Sequence, residues 1–347
     1  MAFLSNDELE SLTIEQSVFH IVGPGPEHFQ LLAAFDATPH ASFFLSRIRS
    51  INSGNRYTFL SDAAVRTKLA RIDSDASAFQ EESEQLAEAF DQGHRGSSAV
   101  GAFLLFVLRC QSGPLFALLK FEDEKVLSYA IADGQSGKPK PTFGEIERTF
   151  VQNRNALQKA ALVRLGSEQD EVCVVDRQNP QRPAAYFEQF LGVRRMRTED
   201  ELTKKLIDVT RTIARKHKDK LPPDTVATLS KRLYDASQSG GSVNGEKIED
   251  WFKSIVGPLP DDSPVLADLK NHLKREGMSG ESFVLKQGAV PAPRNRRVET
   301  VSGIRLTFPV DLQASIVKVD RAKGEITIKD QITIDDYDLE TSNRPRA

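Results

Sequence analysis

Two nearly unbroken apolar runs dominate the hydropathy pattern. Ala99–Leu108 and Pro114–Phe121 are joined by the short polar link Arg109-Cys-Gln-Ser-Gly113. A Gly in so short a connection can take the positive φ that hairpin turns need, and too few residues intervene for a crossover helix, so the pattern predicts an antiparallel hairpin. Continuous rather than alternating apolarity predicts that both faces of this hairpin are covered, which places it at the centre of a sheet. One long buried helix is the competing reading, against which the Gly113-Pro114 break speaks.

Around that centre, Ile14–Val22 reads as a strand stopped by Gly23-Pro-Gly-Pro26, with Phe29–Phe35 as its hairpin partner. Phe44, Ile48 and Ile51 recur at helical spacing over Ala41–Ile51, and Tyr57–Leu60 reads as a strand. Helices are expected over Asp62–Arg71 and Ala76–Asp91, the second with Glu81, Glu84 and Glu88 on a solvated face. Lys125–Ala132, Leu157–Leu165 and Glu171–Asp176 are further strands, the last two paired, and Asp133–Pro141 is a loop. At Asn179-Pro-Gln-Arg-Pro183 the regime changes and helices take over. Tyr186, Phe187, Phe190 and Leu191 share a face that ends at Gly192, and Thr198-Glu-Asp-Glu201 is a capping box opening a long helix that stops before Leu221-Pro-Pro223. Asp224–Ala236, Glu246–Val256 and Pro264–Arg275 follow as helices. Arg297–Val301 and Gly303–Phe308 return to strand alternation, with Glu325–Lys329 expected to pair with them, and the tail from Asp335 is polar and loose. The fold class is therefore α+β: an N-terminal mixed, mainly antiparallel sheet with helices, then a helical region and a C-terminal β-hairpin. The expected domains are residues 1–178 and 184–347.

Composition changes this picture in one respect. A chain of 347 residues with 39 % hydrophobic content can bury a substantial core, and the net charge of −3 taken whole argues against a nucleic-acid binder. The charge is unevenly placed, however. Residues 1–100 hold seven Lys/Arg against fourteen Asp/Glu, residues 182–220 hold eleven against six, and residues 286–305 hold five against one. Cys110 and Cys173 lie inside apolar runs as small buried hydrophobes, which suits a reducing compartment. The N-terminus lacks a basic n-region, and no apolar run approaches the ~18 residues of a membrane span, so the expectation is a soluble, cytoplasmic protein with no membrane association.

Candidate chemistry concentrates in the basic regions. On a wheel of ~100° per residue, Leu202, Leu206, Val209 and Ile213 fall in one arc, and Lys204, Arg211, Arg215 and Lys218 fall nearly opposite. With Arg194, Arg195 and Arg197 just upstream, this ridge could follow a polyanion backbone; a merely solvated face is the competing explanation. Arg294, Arg296 and Arg297 form a second basic patch in a Pro-rich stretch. Such contacts position a protein on DNA without reading bases. Enzyme signatures are poor. Gly23-Pro-Gly-Pro26 is too proline-bound for a dinucleotide loop, and the six histidines form no pair at metal-ligand spacing. No catalytic residue, metal site or cofactor is expected.

The order of elements resembles the bacterial 37-kDa nucleoid-associated protein family of the NdpA/YejK type. The likeness is carried by Ser42–Leu60, the apolar hairpin Gly101–Leu119, Ala185-Tyr-Phe-Glu-Gln-Phe-Leu-Gly-Val-Arg-Arg195, Ser302-Gly-Ile-Arg-Leu-Thr-Phe308 and Glu325-Ile-Thr-Ile-Lys329. The resemblance implies a non-enzymatic protein of the cytoplasmic nucleoid that binds double-stranded DNA. It further implies partners among the DNA topoisomerases or, in an anti-phage role, a defence-system protein; the expected assembly is a homodimer. A protein-interaction adaptor with only indirect DNA association is the alternative.

Overall fold

The computed structural model describes residues 3–93, 99–122, 124–132, 140–149, 157–166, 169–320 and 322–333. In chain order the helices and strands are α1 (Asn6–Glu10), β1 (Thr13–Val22), α2 (Ala41–Ser50), β2 (Asn55–Phe59), α3 (Ala64–Ser74), α4 (Phe79–Gly93), β3 (Gly101–Cys110), β4 (Gly113–Glu122), β5 (Glu124–Ala132), β6 (Lys140–Thr149), β7 (Leu157–Arg164), β8 (Glu171–Asp176), α5 (Ala185–Leu191) and β9 (Val193–Arg195). They continue with α6 (Glu199–Lys216), α7 (Pro223–Gln238), β10 (Ser242–Val243), α8 (Ile248–Val256), α9 (Pro264–Arg275), β11 (Phe283–Val284), β12 (Asn295–Glu299), β13 (Arg305–Pro309), β14 (Val317–Asp320) and β15 (Glu325–Ile328). The chain forms two compact units, Met1–Val290 and Pro291–Ala347.

The first unit is built on a seven-stranded sheet of order β1-β3-β4-β7-β8-β2-β9, antiparallel at every pair. The β3–β4 hairpin lies inside this sheet, as its unbroken apolarity requires. Its side chains alternate between two cores. Phe103, Leu105, Val107, Phe116 and Leu118 pack with α3, α4 and α5 on one face, while Leu104, Phe106, Leu108, Leu115 and Leu119 pack with α2 on the other. Gly113, with φ +119°, makes the tight link. Phe90 on α4 meets Phe103, Phe187 and Phe190 at ring-centroid distances of 4.9, 6.2 and 5.1 Å, which ties α5 to the sheet.

A third core belongs to α6 through α9 and the β10–β11 pair, and holds Leu202, Leu206, Leu229, Phe252, Leu269 and Phe283. The stretch at 179–183 thus separates cores inside one compact unit. Asp176 and Lys159, both almost fully buried, pair at 2.9 Å at its start, and Asp176 also accepts the Gln178, Asn179 and Ala184 N–H groups. A buried carboxylate so fully engaged holds the chain at the point where it leaves the sheet.

Two strand assignments differ from expectation. Phe29–Phe35 is not a strand; its backbone bonds to the β1 backbone at the bridge Ile21–Gln30 and from Phe35 N–H to Ser17 O, while the Leu32 N–H goes instead to the His20 side chain at Nδ1 and the Ala34 N–H to Gln80 Oε1, which breaks the ladder. In the second unit, β12 pairs with β13, and β15 pairs with β14 (Val317–Asp320), its neighbour across a short turn, rather than with that hairpin as expected. The loop expected at Asp133–Pro141 lies outside the described residues up to 139, with Lys140 and Pro141 starting β6, and the polar tail from Asp335 lies outside them entirely.

Candidate nucleic-acid interface

Helix α6 forms as the capping box dictates. The Thr198 hydroxyl accepts the Glu201 N–H at 3.2 Å and the Glu201 carboxylate accepts the Thr198 N–H at 2.8 Å; that second bond, with one from the Thr198 hydroxyl to the carboxylate at 3.0 Å, holds the Glu201 pKa below its ordinary value. Leu202, Leu206, Val209 and Ile213 are all buried in the third core, so the opposite side of α6 faces solvent.

The cations on that side fall into two groups. Lys204 pairs with Asp200 at 2.7 Å and Arg211 with Asp208 at 2.8 Å, each on its own helix. Exposed pairs of this kind contribute about 1 kcal/mol or less, so a phosphate can displace the carboxylate at little cost. Arg215, and Lys218 and Lys220 in the following turn, are exposed with no partner among the described residues. Beside them Asp268 of α9 accepts from Lys216 at 2.7 Å and His217 at 2.9 Å, and these two bonds lower its carboxyl to about 2. The open positive charge therefore gathers at the C-terminal end of α6, where the helix dipole also favours cations.

The arginines upstream of α6 are divided by strand β9. Arg194 points outward with no partner among the described residues, and Arg195, on the alternate side, points inward. The Arg195 guanidinium reaches Glu281 and the Ser282 carbonyl, each at 2.7 Å, and the Gln181 carbonyl at 3.1 Å. Glu281 in turn accepts the Arg56 N–H, and Asn55 accepts the Ser282 N–H at 2.7 Å. Arg195 thus belongs to the seam between the sheet and the α6–α9 layer. Arg197 donates to the Gly277 carbonyl at 2.7 Å and lines a cleft of about 310 Å³ with Arg56, Arg164 and Lys274. Glu8, Glu171 and Glu281 share that cleft, and its mixed charge makes it a poor receptor for a polyanion.

In the second unit Arg294 precedes β12, and Arg296 and Arg297 occupy successive positions of it, so they face opposite sides of the ribbon. Arg305, paired across from Glu299 in register, joins them. The charge count over residues 286–305 includes Arg305, and the pairing of β12 with β13 sets it across from Glu299 beside the other three.

Buried polar groups elsewhere carry structure. His20 accepts the Leu32 N–H at Nδ1, which places its proton on Nε2 toward Ser83 Oγ at 3.2 Å. Ser83 passes its own hydrogen to the Gln80 carbonyl, so this chain satisfies a core and does not activate a nucleophile. Burial pushes the Cys173 thiol up to about 12. Among the described residues no group of three or more His, Cys, Asp or Glu side chains is placed to hold a metal ion, and no helix is long and apolar enough to cross a membrane.

A family model described as nucleoid-associated protein YejK matches residues 26–337, spanning every strand of the sheet after β1, the α6–α9 layer and both C-terminal hairpins. The chain belongs to the YejK family of nucleoid-associated proteins. Membership points to a DNA-binding role at the nucleoid, in a family that is generally non-enzymatic. No curated protein matches the chain.

Proposed function

We propose that this YejK-family protein binds the backbone of duplex DNA through the solvent-facing cations of α6 and its following turn; the arginines of the β12–β13 hairpin, in the second unit, are a separate set of backbone contacts. The observation that carries the reading is the two-sidedness of α6: four apolar residues anchor it, and Lys204, Arg211, Arg215 and Lys218 lie away from that anchor. Arg194, exposed on β9, is a further contact of the same kind, whereas Arg195 and Arg197 are engaged within the fold. Backbone contacts of this kind give affinity and position without base readout.

Titration of the purified protein onto duplex DNA across a salt series tests the reading. Four phosphate contacts give a slope of roughly 3 to 4 in log affinity against log salt. The triple variant Lys204→Glu, Arg211→Glu, Arg215→Glu should weaken binding and flatten that slope without changing the fold, since none of the three is buried. Unchanged affinity would remove α6 as the contact surface. Absence of binding by the natural protein at low salt would favour an adaptor that meets DNA only through a partner.

A further inference from the structure

The β12–β13 hairpin ends in a tightly built turn. Thr300 N–H bonds the Ile304 carbonyl at 2.9 Å, Gly303 N–H bonds the Thr300 carbonyl at 3.0 Å, and the Thr300 hydroxyl accepts the Ile304 N–H at 3.1 Å. Gly303, with φ +87°, closes the turn in the region that suits glycine. At the apex stands Val301, the most exposed large apolar side chain among the described residues, and Ile304 beside it is 65 % exposed. Turn tips ordinarily go to Gly, Pro, Asn, Asp or Ser. A β-branched apolar residue there adds nothing to the turn's hydrogen bonding and covers no core.

The shaft behind this tip is cationic. Arg294, Arg296, Arg297 and Arg305 stand against the single carboxylate of Glu299, which is shared between Arg297 at 3.5 Å and Arg305 at 3.1 Å. Arg294 and Arg296 have no acidic partner among the described residues. Arg296 and Arg297 project to opposite sides of the ribbon, and each lies only about 13 to 17 Å of extended chain from the apex.

We propose that this hairpin is a DNA-bending wedge: Val301 and Ile304 insert between base pairs of a duplex from the minor-groove side while the shaft arginines hold the phosphates on either side. The inference rests on the DNA-binding reading above. Two apolar side chains on a turn cannot supply the ~800 Å² per partner of a standard protein interface. They do match the size of the apolar wedges that unstack a base step and kink the helix, and the surrounding charge selects a polyanion.

The test uses the full chain and a duplex of about 40 base pairs with a central, easily unstacked TA step. Fluorophores at the two ends report bending, and 2-aminopurine at the step reports unstacking. The natural protein should raise both energy transfer and 2-aminopurine emission. The variant Val301→Ser, Ile304→Ser, altered only at exposed turn positions, should melt as the natural protein does, bind within about tenfold of its affinity and lose both signals. Binding by the natural protein with neither signal would overturn the wedge, as would a double variant that still bends and unstacks the duplex. Failure of the natural protein to bind at low salt would instead refute the DNA-binding reading itself, and the wedge with it.

Discussion

Replacing Arg195 with Ala separates a structural arginine from a phosphate-binding one. In the folded protein its guanidinium engages Glu281, whose side chain is 1 % exposed, and the carbonyls of Ser282 and Gln181. Truncation leaves the Glu281 carboxylate buried with the Arg56 N–H as its remaining described donor, at 3.2 Å, and strips donors from two carbonyls. Removing one partner of a buried pair costs about 3 to 5 kcal/mol. The Arg195 side chain is itself 16 % exposed and Glu281 keeps one donor, which argues for the lower end, about 3 kcal/mol. For a folding unit spanning Met1–Val290 that corresponds to a fall in melting temperature of roughly 5 °C. Arg195→Lys should recover only part of the loss, because an ammonium cannot span Glu281 and two carbonyls as the planar fork does. The assay is thermal unfolding followed by circular dichroism, run beside DNA titration at several salt concentrations. An Arg195→Ala protein that melts like the natural one, yet binds DNA with a salt slope reduced by about 0.9, would show that Arg195 contacts phosphate and is not a seam residue.

Further predictions concern the cores. His20 is held neutral: burial lowers its pKa, and Glu84 pulls the other way without reversing the shift. Since the folded-state value lies below the ordinary 6.5, protonation favours the unfolded chain. The stability carried by the neutral ring is complete above about 6.5 and is lost as pH falls through the lower folded value. Urea midpoints should accordingly drop from pH 7.5 to 5.5, and by less in His20→Gln; an equal drop in both proteins would show that another group governs the change. Gly280→Ala should destabilise the same seam that Arg195 holds. The position has φ +83°, and an added Cβ would stand 2.5 Å from the Ser53 carbonyl oxygen. Strain in the left-handed region alone costs about 1 to 2 kcal/mol, so a Gly280→Ala protein that melts unchanged would contradict this packing.

The elements that could be read along the chain are those whose causes are local. The Thr198-Glu-Asp-Glu201 cap, the Gly192 helix end with φ +65° and the β3–β4 hairpin each depend on residues within a few positions, and each forms as expected. The expected pairing of Glu325–Lys329 with Gly303–Phe308 failed for the same kind of reason. An alternating pattern identifies a strand but not its partner, and the shorter connection to Val317–Asp320 prevailed. The amphipathic wheel of α6 correctly divided buried from solvent-facing positions, but no wheel could show which cations already had acids beside them.

By itself the sequence determined the class of the fold, the place of the central hairpin, the helix boundaries set by caps, and the uneven distribution of positive charge, because period, turn chemistry and composition are properties of neighbouring residues. Only the tertiary structure decided which arginines are open to a ligand. Arg194 and Arg195 are adjacent and chemically identical, yet strand alternation turns one to solvent and the other toward Glu281, a residue 86 positions away. A charge's availability depends on what long-range packing brings within about 3 Å of it, and that distance is written in the fold.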